Sequence, residues 1–224
     1  MAERKSLGNF EFPETDVTLL VEDQKIHVNK AVLSQHSPVF NTMFSGSFKE
    51  SKAREITLSN KKAKDVIEFL RCFYPNMEYA ITGHNVLQVL PLAHEYQSPL
   101  VADCEEFMIS QCDPGTDITV DILLDYILAA EKYDLTTLLD TAVKFCSRVD
   151  FDHLQGKTIE RKYRGSSKWV YDVQETEHIS SKFSKINIKT QLAISVKRLQ
   201  VLEMNKRKSK KNEETEEDYV LMLS

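Results

Sequence analysis

What most narrows the fold of this chain is a change of hydrophobic period at Asn29. Upstream, Val17–Val21 is a β-branched, apolar run, Glu22 and Asp23 interrupt it, and Ile26 and Val28 alternate on the return. Two such runs about a polar pair predict a β-hairpin. Downstream the spacing turns helical at once. Asn29 reads as the N-cap of a short helix carrying Ala31, Val32 and Leu33. Ser37 and Pro38 read as a second N-cap followed by proline at the first helical position. Val39, Phe40, Met43 and Phe44 then recur at helical spacing, Phe40 and Phe44 are expected to be buried together, and Gly46 ends the helix. A small sheet with helices following closely on it is an α+β fold.

The remainder is read as mostly helical. Glu55–Leu58 is a short strand, and Ala63–Tyr74 places Val66, Ile67, Leu70 and Phe73 on one face before Pro75. Val86–Tyr96 with Leu100–Ile109, and Ile122–Tyr133 with Leu135–Ser147, read as two helical pairs separated by the turn cluster Asp113–Asp117. The pairs are alike: LAHEYQSPLVADCEEF (92–107) and LAAEKYDLTTLLDTAVKF (128–145) share the leading Leu-Ala, a tyrosine, paired apolar residues and a closing Phe. This is one helical hairpin stacked twice. Past Gly156 the period weakens. WVYDV (169–173) fits a short strand, with Trp169 as the anchor of a small hairpin, and Leu192, Val196, Leu199 and Leu202 fit a helix over about 190–206.

Composition limits function more than fold. Hydrophobic residues make up 42% of the 224 and charged ones 28%, enough for a core beneath a polar surface. No apolar run reaches the roughly 18 residues a membrane span needs, and the N-terminal MAERKSLGNFEFPETD contains no signal-like apolar stretch. Cys72, Cys104, Cys112 and Cys146 form no CxxC pair, which suits buried free thiols in a reducing compartment. The six histidines include no HExxH motif and none sits at metal-ligand spacing from a cysteine, and no glycine-rich phosphate loop occurs. No catalytic residue, metal or cofactor is expected, nor a nucleic-acid or membrane partner.

The string DVTLLVEDQKIHVNKAVLSQHSPVFNTMFSGSFKES resembles the signature of BTB/POZ domains: an aspartate opening the first strand (Asp16), a helix of the form Lys30-Ala31-Val32-Leu33, then Ser37-Pro38-x-Phe40-x-x-Met43-Phe44. Asn29 stands where the family usually has histidine. The resemblance implies the BTB/POZ fold over 14–112 and a homodimer. It also implies frequent service as an adaptor for cullin-based ubiquitin ligases. Residues 118–156 resemble the BACK or 3-box helical annex of speckle-type POZ and kelch-type proteins. A basic segment over 157–204 and a disordered charged tail over 205–224 complete the expected layout.

Several site residues follow from the resemblance. The dimer interface is expected at Phe10, Phe12 and Val32, because adjacent Val32 and Leu33 cannot both face one core. Cullin-binding relatives carry an apolar-x-Glu motif, sought here before the fourth core helix, where NMEYAITGHNV has no acid at that place. The candidate cullin or partner surface is then Met77, Tyr79 and Ile81, with Tyr126 and Tyr133 from the annex. Two functions stand open: a homodimeric adaptor bringing an unidentified protein to a cullin-RING ligase, or a BTB scaffold or nuclear co-regulator with no ligase role.

Charge is segregated. Residues 1–156 hold 14 Lys and Arg against 24 Asp and Glu, whereas 157–212 hold 15 against 5, and the tip 213–224 holds five acids and no base. The run Lys206, Arg207, Lys208, Lys210 and Lys211 is a candidate nuclear-import signal in a protein otherwise expected in the cytoplasm. The acidic block EETEED (213–218) follows it directly and is expected to fold back and neutralise it, with Ser209 and Thr215 as modifiable positions.

Overall fold

The computed structural model describes residues 10–12, 15–46, 48–74, 77, 79–149, 154, 161–162, 169–170 and 173–222. They fall into two compact units, residues 1–108 and 109–224.

The first unit opens with β1 (Phe10–Glu11), β2 (Val17–Val21) and β3 (Gln24–Val28), and β4 (Glu55–Thr57) completes a four-stranded sheet of order β1-β3-β2-β4. The β2–β3 hairpin is antiparallel with Leu19 opposite Ile26, while β1 on β3 and β4 on β2 are parallel. Val17, Leu19, Val21, Ile26 and Val28 are all buried, as the period-2 reading requires.

At Asn29 the chain turns into α1 (Lys30–His36). The Asn29 carboxamide accepts from the N–H groups of Ala31 and Val32, and its own N–H donates to the Tyr74 hydroxyl at 2.6 Å. The Asp16 carboxylate accepts from Lys30 N–H at 2.8 Å, so the aspartate that opens the first long strand also anchors the first helix. Ser37 caps α2 (Pro38–Ser45). A single turn, α3 (Lys49–Lys52), leads into β4; four residues without hydrophobic period give it no signal in the sequence. Next come α4 (Ala63–Arg71), α5 (Val86–Glu95) and α6 (Leu100–Gln111).

Phe40, 1% exposed, stacks on Tyr96 with centroids 4.4 Å apart. Phe44 departs from expectation: it is half-buried, 5.8 Å from Phe40, and the Lys30 ammonium lies 5.5 Å above its ring. Four-residue spacing places two rings on one side of a helix; it does not make that side wide enough to bury both.

The second unit holds α7 (Val120–Lys132), α8 (Thr136–Cys146), a two-stranded ribbon of β5 (Arg161–Lys162) and β6 (Trp169–Val170), α9 (Val173–Lys185) and α10 (Ile188–Met222). Here the outcome differs from the sequence reading. The helix expected over about 190–206 runs to Met222, so the stretch read as a disordered tail continues it; Lys, Arg and Glu are good helix formers whatever their charge pattern. The expected boundary at 156–157 lies outside the described residues.

The internal repeat is visible in the backbone. Gln97 and Asp134 both take left-handed φ, at 50° and 55°, just after α5 and α7. The next N–H reaches back five residues in each copy, Ser98 to the Ala93 carbonyl at 2.8 Å and Leu135 to the Ala130 carbonyl at 2.9 Å. The same C-cap therefore closes both hairpins. No helix among the described residues is long and apolar enough to cross a membrane.

Candidate partner-binding surfaces

A groove of about 430 Å³ opens beside α2, lined by Pro38, Val39, Thr42, Met43, Phe48, Glu50 and Gln97. Phe40 points into the core, which leaves Val39 and Met43, both half-buried, on the outer side of α2. Phe48 is 56% exposed, an unusual place for a phenylalanine. It is held there by its neighbours. Ser51 donates to the Phe48 carbonyl from N–H (3.2 Å) and hydroxyl (2.8 Å), and the Lys30 ammonium donates to the carbonyls of Ser51 and Ala53. Gly46 makes room, since a Cβ there would lie 2.7 Å from the Phe48 ring. An apolar rim with one carboxylate suits a partner's apolar side chain flanked by a hydrogen-bond donor.

Phe48-Lys49-Glu50 is an apolar-x-Glu triplet. The sequence reading sought that motif in 75–85 and missed it in the turn before β4. The triplet itself was the available signal; the groove was not, because Gln97 enters it from 47 positions away.

A second cavity of about 590 Å³ lies by the end of α4, with His36, Arg71, Phe73, Tyr79, Leu100 and Asp103 among its lining. The Tyr79 hydroxyl donates to Glu68 at 2.5 Å, and Arg71 pairs with the same carboxylate at 3.1 Å while its guanidinium lies 5.5 Å from the Tyr79 ring. The hydrogen bond to Glu68 raises the Tyr79 pKa. Tyr79 thus sits at the surface, 37% exposed, but held by a carboxylate; Met77 and Ile81 are half-buried.

The other expected residues are dispersed. Val32 is half-buried on α1, beside fully buried Leu33. Phe12 is 1% exposed and packs 4.1 Å from the Tyr74 ring, so its side chain belongs to the subunit's own core and is not offered to a second copy. The Phe10 side chain lies outside the described residues. Tyr126 is likewise inside, 1% exposed, with burial raising its pKa; it cannot contact a partner. Tyr133 is half-buried under the Lys132 ammonium, 5.0 Å away. Lys206, Arg207 and Lys208 are exposed on α10; the side chains of Lys210, Lys211 and Trp169 lie outside the described residues.

Nothing in the thiols suggests nucleophilic chemistry. Burial pushes Cys72 and Cys112 up to about 11 and Cys104 and Cys146 up to about 12, which keeps them protonated at neutral pH. Among the described residues no group of three His, Cys, Asp or Glu could hold a metal ion.

Comparison with known proteins agrees with this geometry. The BTB/POZ family profile matches residues 10–112. BTB and MATH domain-containing protein 38 of Caenorhabditis elegans is 34% identical over 131 residues, 58% of this chain and 32% of that protein. Human Kelch-like protein 7 is 32% identical over 131 residues, 58% of this chain and 21% of that protein. Human Kelch-like protein 3 is 25% identical over 192 residues, 77% of this chain and 32% of that protein. The chain thus aligns with about a fifth to a third of the length of these relatives. A sheet of order β1-β3-β2-β4, helices capped at Asn29 and Ser37, and the matching profile lead to one conclusion: residues 10–112 of this chain form a BTB/POZ domain, related to those of BTB-MATH and Kelch-like proteins.

Proposed function

We propose that the chain is a non-catalytic, homodimeric adaptor that pairs with a second copy along α1 at Val32 and offers the Phe48–Glu50 groove to a helix of a cullin scaffold. The observation that carries the reading is the exposed apolar-x-Glu triplet in a groove. Burying the Phe48 ring in a partner is worth roughly 1.5–3 kcal/mol, and a charge-assisted hydrogen bond to Glu50 about 1.5–3 kcal/mol. Amphipathic helices dock in such grooves through spaced apolar anchors. The relatives support the same reading, since Kelch-like proteins are the kind of adaptor the resemblance implies.

Light scattering of the full chain should give a dimer at micromolar concentration, and Val32→Asp should give a folded monomer. Immobilised cullin N-terminal domain should retain the wild type and lose Phe48→Asp. Retention of Phe48→Asp at wild-type level removes the groove. Retention of neither protein removes the adaptor reading and leaves the scaffold one.

A further inference from the structure

Helix α10 is attached by one face and free on another. Thr190 and Ile194 are buried, and the Arg198 guanidinium donates to the carbonyls of Ser147 and Val149 just beyond α8. Around the helix from that face lie Ile188, Leu192, Leu199 and Leu202, exposed by 73, 63, 61 and 50%. Leu192 and Leu199 share one heptad position and Ile188 and Leu202 the other, the spacing of a coiled-coil seam. In sequence, Val220 recurs at the position of Leu192 and Leu199.

Between the apolar ends lie the basic block 206–211 and the acidic block 213–218. The expectation that these fold onto each other fails on geometry. A continuous helix rises 1.5 Å per residue, so Lys206 and Asp218 stand about 18 Å apart along it, beyond the roughly 8 Å screening length at physiological salt. Their bulk can be brought together only on two different helices.

We infer that α10 pairs antiparallel with α10 of a second copy, crossing near Lys211. About that centre each position i meets position 422 − i of the other helix. Lys206 then meets Glu216, Lys208 meets Glu214, and Leu202 meets Val220, each pair being satisfied twice by symmetry. A parallel pair would set each block against its like. The overlap covers residues 200–222, roughly three heptads; Ile188, Leu192 and Val196 lie beyond it. Charge dominates this contact, so it is strong only at low ionic strength. The inference is independent of the adaptor reading, which concerns the first unit alone.

The probe is a fluorescent peptide of residues 199–224, titrated with the full chain and read by anisotropy. At about 50 mM salt it should bind, and affinity should fall about tenfold or more by 500 mM. A peptide with the two blocks exchanged should not bind, because in the antiparallel arrangement it sets like against like. Leu199→Ser with Leu202→Ser in the full chain, both at exposed positions, should weaken binding of the parent peptide. Binding of the exchanged peptide as tightly as the parent would make the pairing parallel and overturn the inference. So would no binding of either peptide at 100 μM chain, or binding indifferent to salt and to the two leucine changes.

Discussion

The Ser37 hydroxyl donates to the backbone carbonyl of Tyr96 at 2.6 Å while accepting from the N–H of Phe40 at 3.1 Å. One fully buried side chain thus caps α2 and ties it to the end of α5, which places Gln97 at the rim of the groove. Ser37→Ala removes the cap and leaves a buried carbonyl without its partner. The expected cost is about 1–3 kcal/mol, read as a lower urea midpoint at unchanged slope. A loss below about 0.5 kcal/mol would mean that the two helices are held otherwise.

Glu22 caps a helix 41 positions away. Lys62 at the start of α4 makes no side-chain cap, and the Glu22 carboxylate accepts from Ala63 N–H at 2.9 Å instead. Glu22→Ala should cost about 1 kcal/mol, whereas Glu22→Gln keeps an acceptor and loses only the favourable charge, about 0.3–1 kcal/mol. Equal losses in chemical denaturation would put the effect in the hairpin turn, not the helix.

Lys182 joins α9 to α7. Its ammonium lies 2.7 Å from both Asp121 and Asp125, with Asp125 in hydrogen-bond alignment. Burial pulls the Lys182 pKa down, and the two carboxylates more than offset it, so the net shift is upward from 10.5. A folded pKa above the unfolded one stabilises fully below the unfolded value and is lost as pH rises through the folded one. Amide exchange in α9 should therefore quicken above about pH 10.5 in the wild type. In Lys182→Met it should be fast already at pH 7 and lack the added rise. A wild-type profile that follows the variant's would contradict the bridge.

Asp134 carries a left-handed φ that only glycine adopts at no cost. Asp134→Gly should raise stability by up to about 1 kcal/mol, the strain relieved less the extra freedom of the unfolded chain. A thermal scan showing a lower Tm would mean that the Asp134 side chain is doing more than filling a turn.

What was legible in the sequence and what was not divides along the range of the forces. Asn29 and Ser37-Pro38 announce helix starts because a cap is a bond to the next few residues, and Leu19 against Ile26 follows from a two-residue turn. The groove was not legible, since Phe48 and Gln97 meet only after α5 has folded back. Phe12 and Tyr126 were read as partner contacts because aromatic type says nothing of which side of an element faces the core. In α9 the sequence VQETEHISSKFSK spaces its buried Ile179 and Phe183 four apart with little else apolar between, too faint a stripe to read before the fold was known.

The central claim is that the chain presents the Phe48–Glu50 groove to a partner helix. Amide hydrogen exchange of the full chain, with and without saturating cullin N-terminal domain, tests it most directly. The account predicts slowed exchange over residues 38–50 and around Gln97, with 77–81 unchanged. Protection confined to 77–81, or no protection anywhere in the first unit, would contradict it.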